Sequence, residues 1–280
     1  MIRITETARD AMQGIKNFIP TANKLAYVNA LLQVGFDTLD VGSFVSPKVI
    51  PQMADTRELI QKMNIPKNAP EIMVLVVNKR GTEDALRCER VQCLTYPYSI
   101  SPTFLMRNLN ADEAKALGIV KEITELAFPK NRELVIYLSM ALGNPYGDDW
   151  SIQMVIDGAA QLYDLGIRRM PLSDILGEAT PDTIFKVYEK LIPAFPEVDF
   201  GLHLHTKPSH SYNKLEAAWE AGVRSYETVF NGLGGCPTAA DEMVGNLSTQ
   251  DLLHFCDRKK IETKLNRKAL NEVVLMRQVI

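Results

Sequence analysis

Eight times along this chain a short, β-rich apolar run gives way to a longer amphipathic stretch, and few folds can bury the apolar surface of a chain patterned in that way. The runs that read as strands are 2–6, 38–44, 71–77, 91–95, 133–141, 168–174, 199–205 and 225–230. Between and after them, 21–34, 52–63, 81–89, 112–128, 151–165, 181–191, 208–221 and 249–257 carry a helical period, and several open at Thr, Ser or Pro. Strands that alternate with helices pair in parallel, and eight such units within a 280-residue chain predict a (β/α)8 TIM barrel. An open doubly wound sheet is the competing arrangement. It is disfavoured because Thr7-Ala8-Arg9-Asp10, not a GxGxxG turn, follows the first strand. No low-complexity linker divides the chain. The expectation is therefore one catalytic domain over residues 1–280, with a helical tail from about residue 259 packed on the barrel.

Barrels of this kind carry their chemistry at the C-terminal ends of the strands, which directs attention to a small set of residues. In His203-Leu204-His205 the imidazoles are two apart on an alternating strand and project to the same face. In a closed barrel the first strand neighbours the eighth, and the eighth neighbours the seventh, so Asp10 falls beside that pair. Asn246, just ahead of the last barrel helix, reads either as a cap or as a fourth, neutral oxygen ligand; local sequence favours the cap. Two histidines with two oxygen donors suit Mg2+ or Mn2+, with Zn2+ a further candidate. The segment Phe230-Asn231-Gly232-Leu233-Gly234-Gly235-Cys236-Pro237 is unsuited to a helix. It presents Cys236 as a candidate acid/base, or else it is a Gly-rich turn with a buried cysteine.

A formal charge of -3 and the lack of any basic, aromatic-interleaved segment exclude a nucleic-acid partner. No apolar run approaches the roughly 18 residues of a membrane span, and Met1-Ile2-Arg3-Ile4-Thr5-Glu6 does not resemble a targeting segment. A cytoplasmic protein with no membrane contact is expected. The four cysteines form no CxxC pair, so reduced thiols are expected rather than a disulfide scaffold or a zinc knuckle.

Five motifs together resemble the 3-hydroxy-3-methylglutaryl-CoA lyase family, within a superfamily of metal-dependent lyase and aldolase-type barrels. They are Thr5 to Gln13; Ser43-Phe44-Val45-Ser46-Pro47-Lys48 with Pro51-Gln52-Met53-Ala54-Asp55; Ser173-Asp174-Ile175-Leu176-Gly177 with Thr180-Pro181; Leu202 to His205; and Gly232 to Pro237 followed by Gly245-Asn246-Leu247. The resemblance implies that Asp10, His203, His205 and Asn246 bind a divalent cation, that Arg9 stabilises enolate charge, and that Cys236 transfers protons. It also implies catalytic parts for Asp40 and Asp174, contacts to an acyl-CoA substrate from Gln13, Lys16 and Ser43, and a homodimer. The implied reaction is cleavage of 3-hydroxy-3-methylglutaryl-CoA to acetoacetate and acetyl-CoA. It needs a cation to acidify a tertiary alcohol, a base, a fixed positive charge for a thioester enolate, and an acid to quench it.

The chain departs from the family pattern in four places. Asp40 stands for a glutamate, Asn144-Pro145-Tyr146-Gly147-Asp148 for Cys-Pro-Tyr-Glu-Gly, and His203-Leu204-His205-Thr206 for His-Cys-His-Asp, and the first motif is one residue shorter ahead of Arg9. These changes keep open a related lyase or aldolase acting on another hydroxyacyl-CoA or a hydroxy or oxo acid, and a non-catalytic barrel. A biotin-dependent carboxyltransferase is disfavoured, because Ser173 stands where that family relies on lysine.

Overall fold

The computed structural model describes residues 1–234 and 244–275. β1 (Arg3–Glu6) leads into a six-residue helix, α1 (Ala8–Gln13), and then α2 (Thr21–Leu31). β2 (Thr38–Ser43) and α3 (Thr56–Lys62) follow, then β3 (Glu71–Leu75) and α4 (Lys79–Leu86). β4 (Cys93–Ser99) precedes α5 (Pro102–Leu109) and α6 (Glu113–Ala127), and β5 (Glu133–Ser139) precedes α7 (Ile152–Asp164). The last units are β6 (Leu172–Asp174) with α8 (Pro181–Ala194), β7 (Leu202–Leu204) with α9 (Pro208–Glu220), and β8 (Ser225–Thr228) with α10 (Thr249–Lys259). Every strand pairs in parallel with its sequence neighbour, and β8 returns to β1 to close a (β/α)8 barrel.

The departures from the expected elements are local. The helix expected over 52–63 is a 3-10 turn, Pro51–Met53, followed by α3. The sixth and seventh strands are short ladders, since Pro171 has no N–H to donate and Arg169 pairs only through isolated bridges to Val135 and Asp199. Helices α1 and α5 were not expected. The tail forms α11 (Arg267–Leu275), which packs on α2 and is anchored where the Asn266 N–H donates to the Val34 carbonyl at 2.7 Å. Among the described residues no helix is long and apolar enough to cross a membrane.

The N-terminal end of the barrel is closed by charge. Arg169, almost completely buried, donates to Glu133 at 2.8 Å, to Glu71 and Thr38 at 3.1 Å and to the Cys93 sulfur at 3.6 Å, while Arg3 also pairs with Glu71. Glu71, Cys93 and Glu133 have the spacing of a metal site, but the guanidinium already supplies their positive charge. Burial pushes the Cys93 thiol up to about 12, and its sulfur accepts from Arg169. Next to this floor Met73, Cys93, Val135 and Tyr137 pack into an apolar plug, leaving the opposite, C-terminal end as the mouth.

Glu6, at the end of β1, is wholly buried and accepts hydrogen bonds from the Phe230 N–H (2.6 Å), Thr249 Oγ1 (2.8 Å) and Thr228 Oγ1 (3.3 Å). It fastens β1 to both ends of the β8–α10 connection. Burial outweighs these bonds and pushes its carboxyl from 4.5 up to about 8. A carboxyl that holds its proton more tightly when folded gives its full stability below pH 4.5 and loses it as pH rises through about 8. Glu6→Gln, which keeps the shape without the titration, is expected to lessen the fall in melting temperature between pH 5 and pH 8, by roughly a few kcal/mol of stability at the upper end. Parallel pH profiles for parent and variant would refute this.

Candidate active site

At the mouth, α1 sets Arg9, Asp10 and Gln13 beside the end of β1, and the alternation of β7 turns His203 and His205 to the same side. The ligand atoms of Asp10, His203 and His205 all lie within 4.8 Å of one another, and all three residues are buried. His203 Nδ1 lies 2.9 Å from a Glu227 carboxylate oxygen, and His205 Nδ1 lies 3.0 Å from the Val244 carbonyl. Those partners only accept, so each Nδ1 carries the hydrogen and each Nε2 keeps its lone pair. Two imidazoles held in that tautomer by outer acceptors, next to a carboxylate, fit a divalent cation.

An antiparallel bridge to His205 brings in Asn246, whose Nδ2 donates to the Leu233 carbonyl at 2.9 Å and whose side chain also bonds Asp10. The cap of α10 is Ser248, which accepts from the Asp251 N–H at 2.9 Å, so the cap reading of Asn246 does not hold. Burial works against charge on Asp10, but Arg9 and the two imidazoles outweigh it and hold its carboxyl below the usual range. His203 is opposed by burial and raised by Glu227; His205 is lowered by burial and by His203.

Arg9 lies between two carboxylates. Its Nε and Nη2 donate to one oxygen of Asp40 at 2.9 and 2.7 Å, and its Nη1 donates to Asp10 at 3.0 Å and Gln13 at 3.1 Å. Burial opposes the guanidinium charge, and Asp40 and Asp10 overcome that opposition. Asp40 itself is pushed up to about 6, by burial first, with Arg9 pulling the other way and Asp10 and Glu227 adding to the rise. Its second oxygen is buried without a hydrogen bond.

This arrangement has relatives. A protein-family model, HMGL-like, matches residues 2–276. The chain belongs to the HMGL-like family. Hydroxymethylglutaryl-CoA lyase YngG of Bacillus subtilis is 30% identical over 262 residues, covering 94% of this chain and 87% of that protein. Human cytoplasmic 3-hydroxy-3-methylglutaryl-CoA lyase is 28% identical over 268 residues, covering 95% and 71%. A solved HMG-CoA lyase from Acinetobacter baumannii, in complex with coenzyme A and 3-methylmalate, superposes with a TM-score of 0.90 at 27% identity, covering 98% and 88% of the two chains.

In this HMGL-like chain the remaining candidate residues take up different positions. Gln13 is half-buried, accepting from Arg9 and donating to Asp10 at 2.5 Å; Lys16 is exposed on the loop that follows. The Ser43 hydroxyl is engaged within its own strand end, accepting from the Val45 N–H at 3.0 Å. Asp174 accepts from the Glu178 and Ala179 N–H groups at 3.2 and 2.9 Å, with Lys214 3.6 Å away, so its oxygens hold the β6–α8 turn. Cys236 lies outside the described residues. Two positions before it, Gly234 has φ +81°, and a Cβ there would come within 2.5 Å of the Asp10 carbonyl oxygen, so this loop enters the site by backbone contact with the candidate ligand.

Glu227 escaped the sequence reading. It faces the barrel interior in register with His203, and the period of two that found the histidines would have found it on β8 as well. Tyr137 on β5, its ring 5.1 Å from that of His203, is the other interior neighbour that went unremarked.

Proposed function

We propose that the chain is a divalent-metal-dependent carbon–carbon lyase that cleaves 3-hydroxy-3-methylglutaryl-CoA to acetoacetate and acetyl-CoA by retro-Claisen chemistry. The observation that carries this reading is the cluster of Asp10, His203 and His205 with Arg9 bonded to the same carboxylate. Mg2+ or Mn2+ held by Asp10, His203, His205 and Asn246 would supply Lewis acidity toward the substrate hydroxyl and carbonyl oxygens.

The protein's own groups do the rest. Asp40, with one oxygen free of hydrogen bonds and its carboxyl pushed up to about 6, accepts the proton of the tertiary hydroxyl. As that O–H electron pair becomes the ketone of acetoacetate, the neighbouring C–C bond breaks and its electrons pass to the thioester as an enolate. Arg9, already charged and fixed by Asp40 and Gln13, stabilises that enolate without having to reorganise. Cys236 delivers the proton that turns the enolate into acetyl-CoA. Asp174 shapes the lip through the β6–α8 turn. Gln13, Lys16 and Ser43 line the approach for an acyl-CoA, a ligand class supported by the coenzyme A in the Acinetobacter relative. Homodimeric assembly and a cytoplasmic location complete the proposal. They are supported by the family resemblance, and the location also by the free thiols of Cys88, Cys93 and Cys256.

The test is release of acetyl-CoA and acetoacetate from 3-hydroxy-3-methylglutaryl-CoA in saturating Mg2+ or Mn2+, with Cys236→Ser alongside. The parent is expected to turn over, and the variant to keep its metal and lose roughly 100-fold or more in kcat. A silent parent sinks the substrate assignment; a variant that loses metal would instead make the sulfur a ligand.

A further inference from the structure

The Pro51-Gln52-Met53-Ala54-Asp55 motif has no part in the chemistry above, yet Gln52 is almost completely buried and every polar atom of its amide is used. Its Oε1 accepts from the Ile19 N–H at 2.8 Å, and its Nε2 donates to the carbonyls of Ile15 and Asn17, both at 2.9 Å. One side chain thus grips alternate residues of the loop between α1 and α2. The grip is backed from behind. Lys24, a wholly buried lysine, donates to the Gln52 carbonyl and to Asp55 at 2.8 Å, and its ammonium lies 4.0 Å from the centre of the Phe18 ring. Asp55 in turn accepts from Thr21 at 2.7 Å. A seven-residue connection with Lys16, Asn17 and Phe18 exposed would otherwise sample many conformations. Instead it leaves α1, where Gln13 bonds Arg9 and Asp10, along a path set by a single amide.

We infer that Gln52 is a positioning residue for substrate: it holds the 14–19 loop so that the exposed Lys16 ammonium meets the anionic coenzyme A portion of an acyl-CoA at the mouth. The inference rests on the acyl-CoA reading above but not on which acyl group is cleaved. A loop already ordered before binding avoids the ordering cost at the moment of association, so loss of the grip appears in substrate binding rather than in the chemical step.

The experiment compares Gln52→Met, close in size but without hydrogen bonds, with Lys16→Ala and the double variant, reading KM and kcat and, separately, calorimetric binding of coenzyme A alone. Gln52→Met is expected to raise KM about tenfold and weaken coenzyme A binding similarly, with kcat and metal content nearly unchanged. The double variant is expected to be no worse than Lys16→Ala, because the two residues act through the same contact. A lowered melting temperature with KM and coenzyme A binding unchanged, additive effects in the double variant, or a Lys16→Ala variant that binds as the parent does would each overturn the inference. Should Gln52→Met not fold, Gln52→Glu carries the same test, since it keeps the acceptor for Ile19 and sets an oxygen against two carbonyls. Coenzyme A that binds the parent and not the variant supports the inference even if 3-hydroxy-3-methylglutaryl-CoA proves not to be cleaved.

Discussion

Arg9→Met is expected to lower kcat by roughly 100-fold or more, with the protein still folded and still holding metal. The loss follows from where the guanidinium stands: it meets Asp40 through two of its nitrogens and Asp10 through the third, so its charge is in place before any enolate forms. The fold is expected to survive because Asp40, already pushed up to about 6 in the presence of Arg9, takes a proton at neutral pH once that cation is gone. A buried carboxylic acid costs far less than a buried unpaired carboxylate. Arg9→Lys is expected to rescue only part of the loss, since one ammonium cannot span both carboxylates in the fixed geometry of a guanidinium. Steady-state kinetics with thermal melts decide the matter, and a folded Arg9→Met variant within fivefold of the parent would remove Arg9 from the mechanism.

The second large effect is expected from His205→Ala. The imidazole is buried, its Nδ1 is tied to the Val244 carbonyl, and its Nε2 is the atom left for a cation. Outer partners of metal ligands are worth about 10–100-fold in affinity, so removing a ligand itself should cost more than that and abolish turnover with it. The readouts are metal content after dialysis and the rise in melting temperature on adding Mn2+, which the parent shows and the variant does not. His210→Ala and His254→Ala, at exposed positions on α9 and α10, are the controls and should behave as the parent. Full metal occupancy in His205→Ala would dismantle the proposed centre.

The barrel was legible because the pattern that encodes it, apolar runs of strand length alternating with amphipathic stretches, is spread over most of the chain. The meeting of Asp10 with His203 and His205 was legible for the same reason: period two and barrel closure are topological facts. What remained hidden depends on single contacts. Arg9 and Asp10 were expected directly after a strand, and they lie on α1, whose turn brings Gln13 back onto both. Asn246 read as a cap because nothing local reveals that Ser248, two residues on, does the capping. Gln52 looked like part of a family motif, and its purpose lies in the backbone of a loop more than 30 residues away in sequence.

The Arg169 lock at the far end of the barrel has a consequence for traffic. With Glu71, Glu133 and Thr38 gathered around one guanidinium, and the apolar plug next to it, the described residues close that end of the barrel and leave the C-terminal mouth for a ligand. Under the proposed function, an acyl-CoA and both products of its cleavage share that mouth, since the Arg169 end offers them no passage through the described residues.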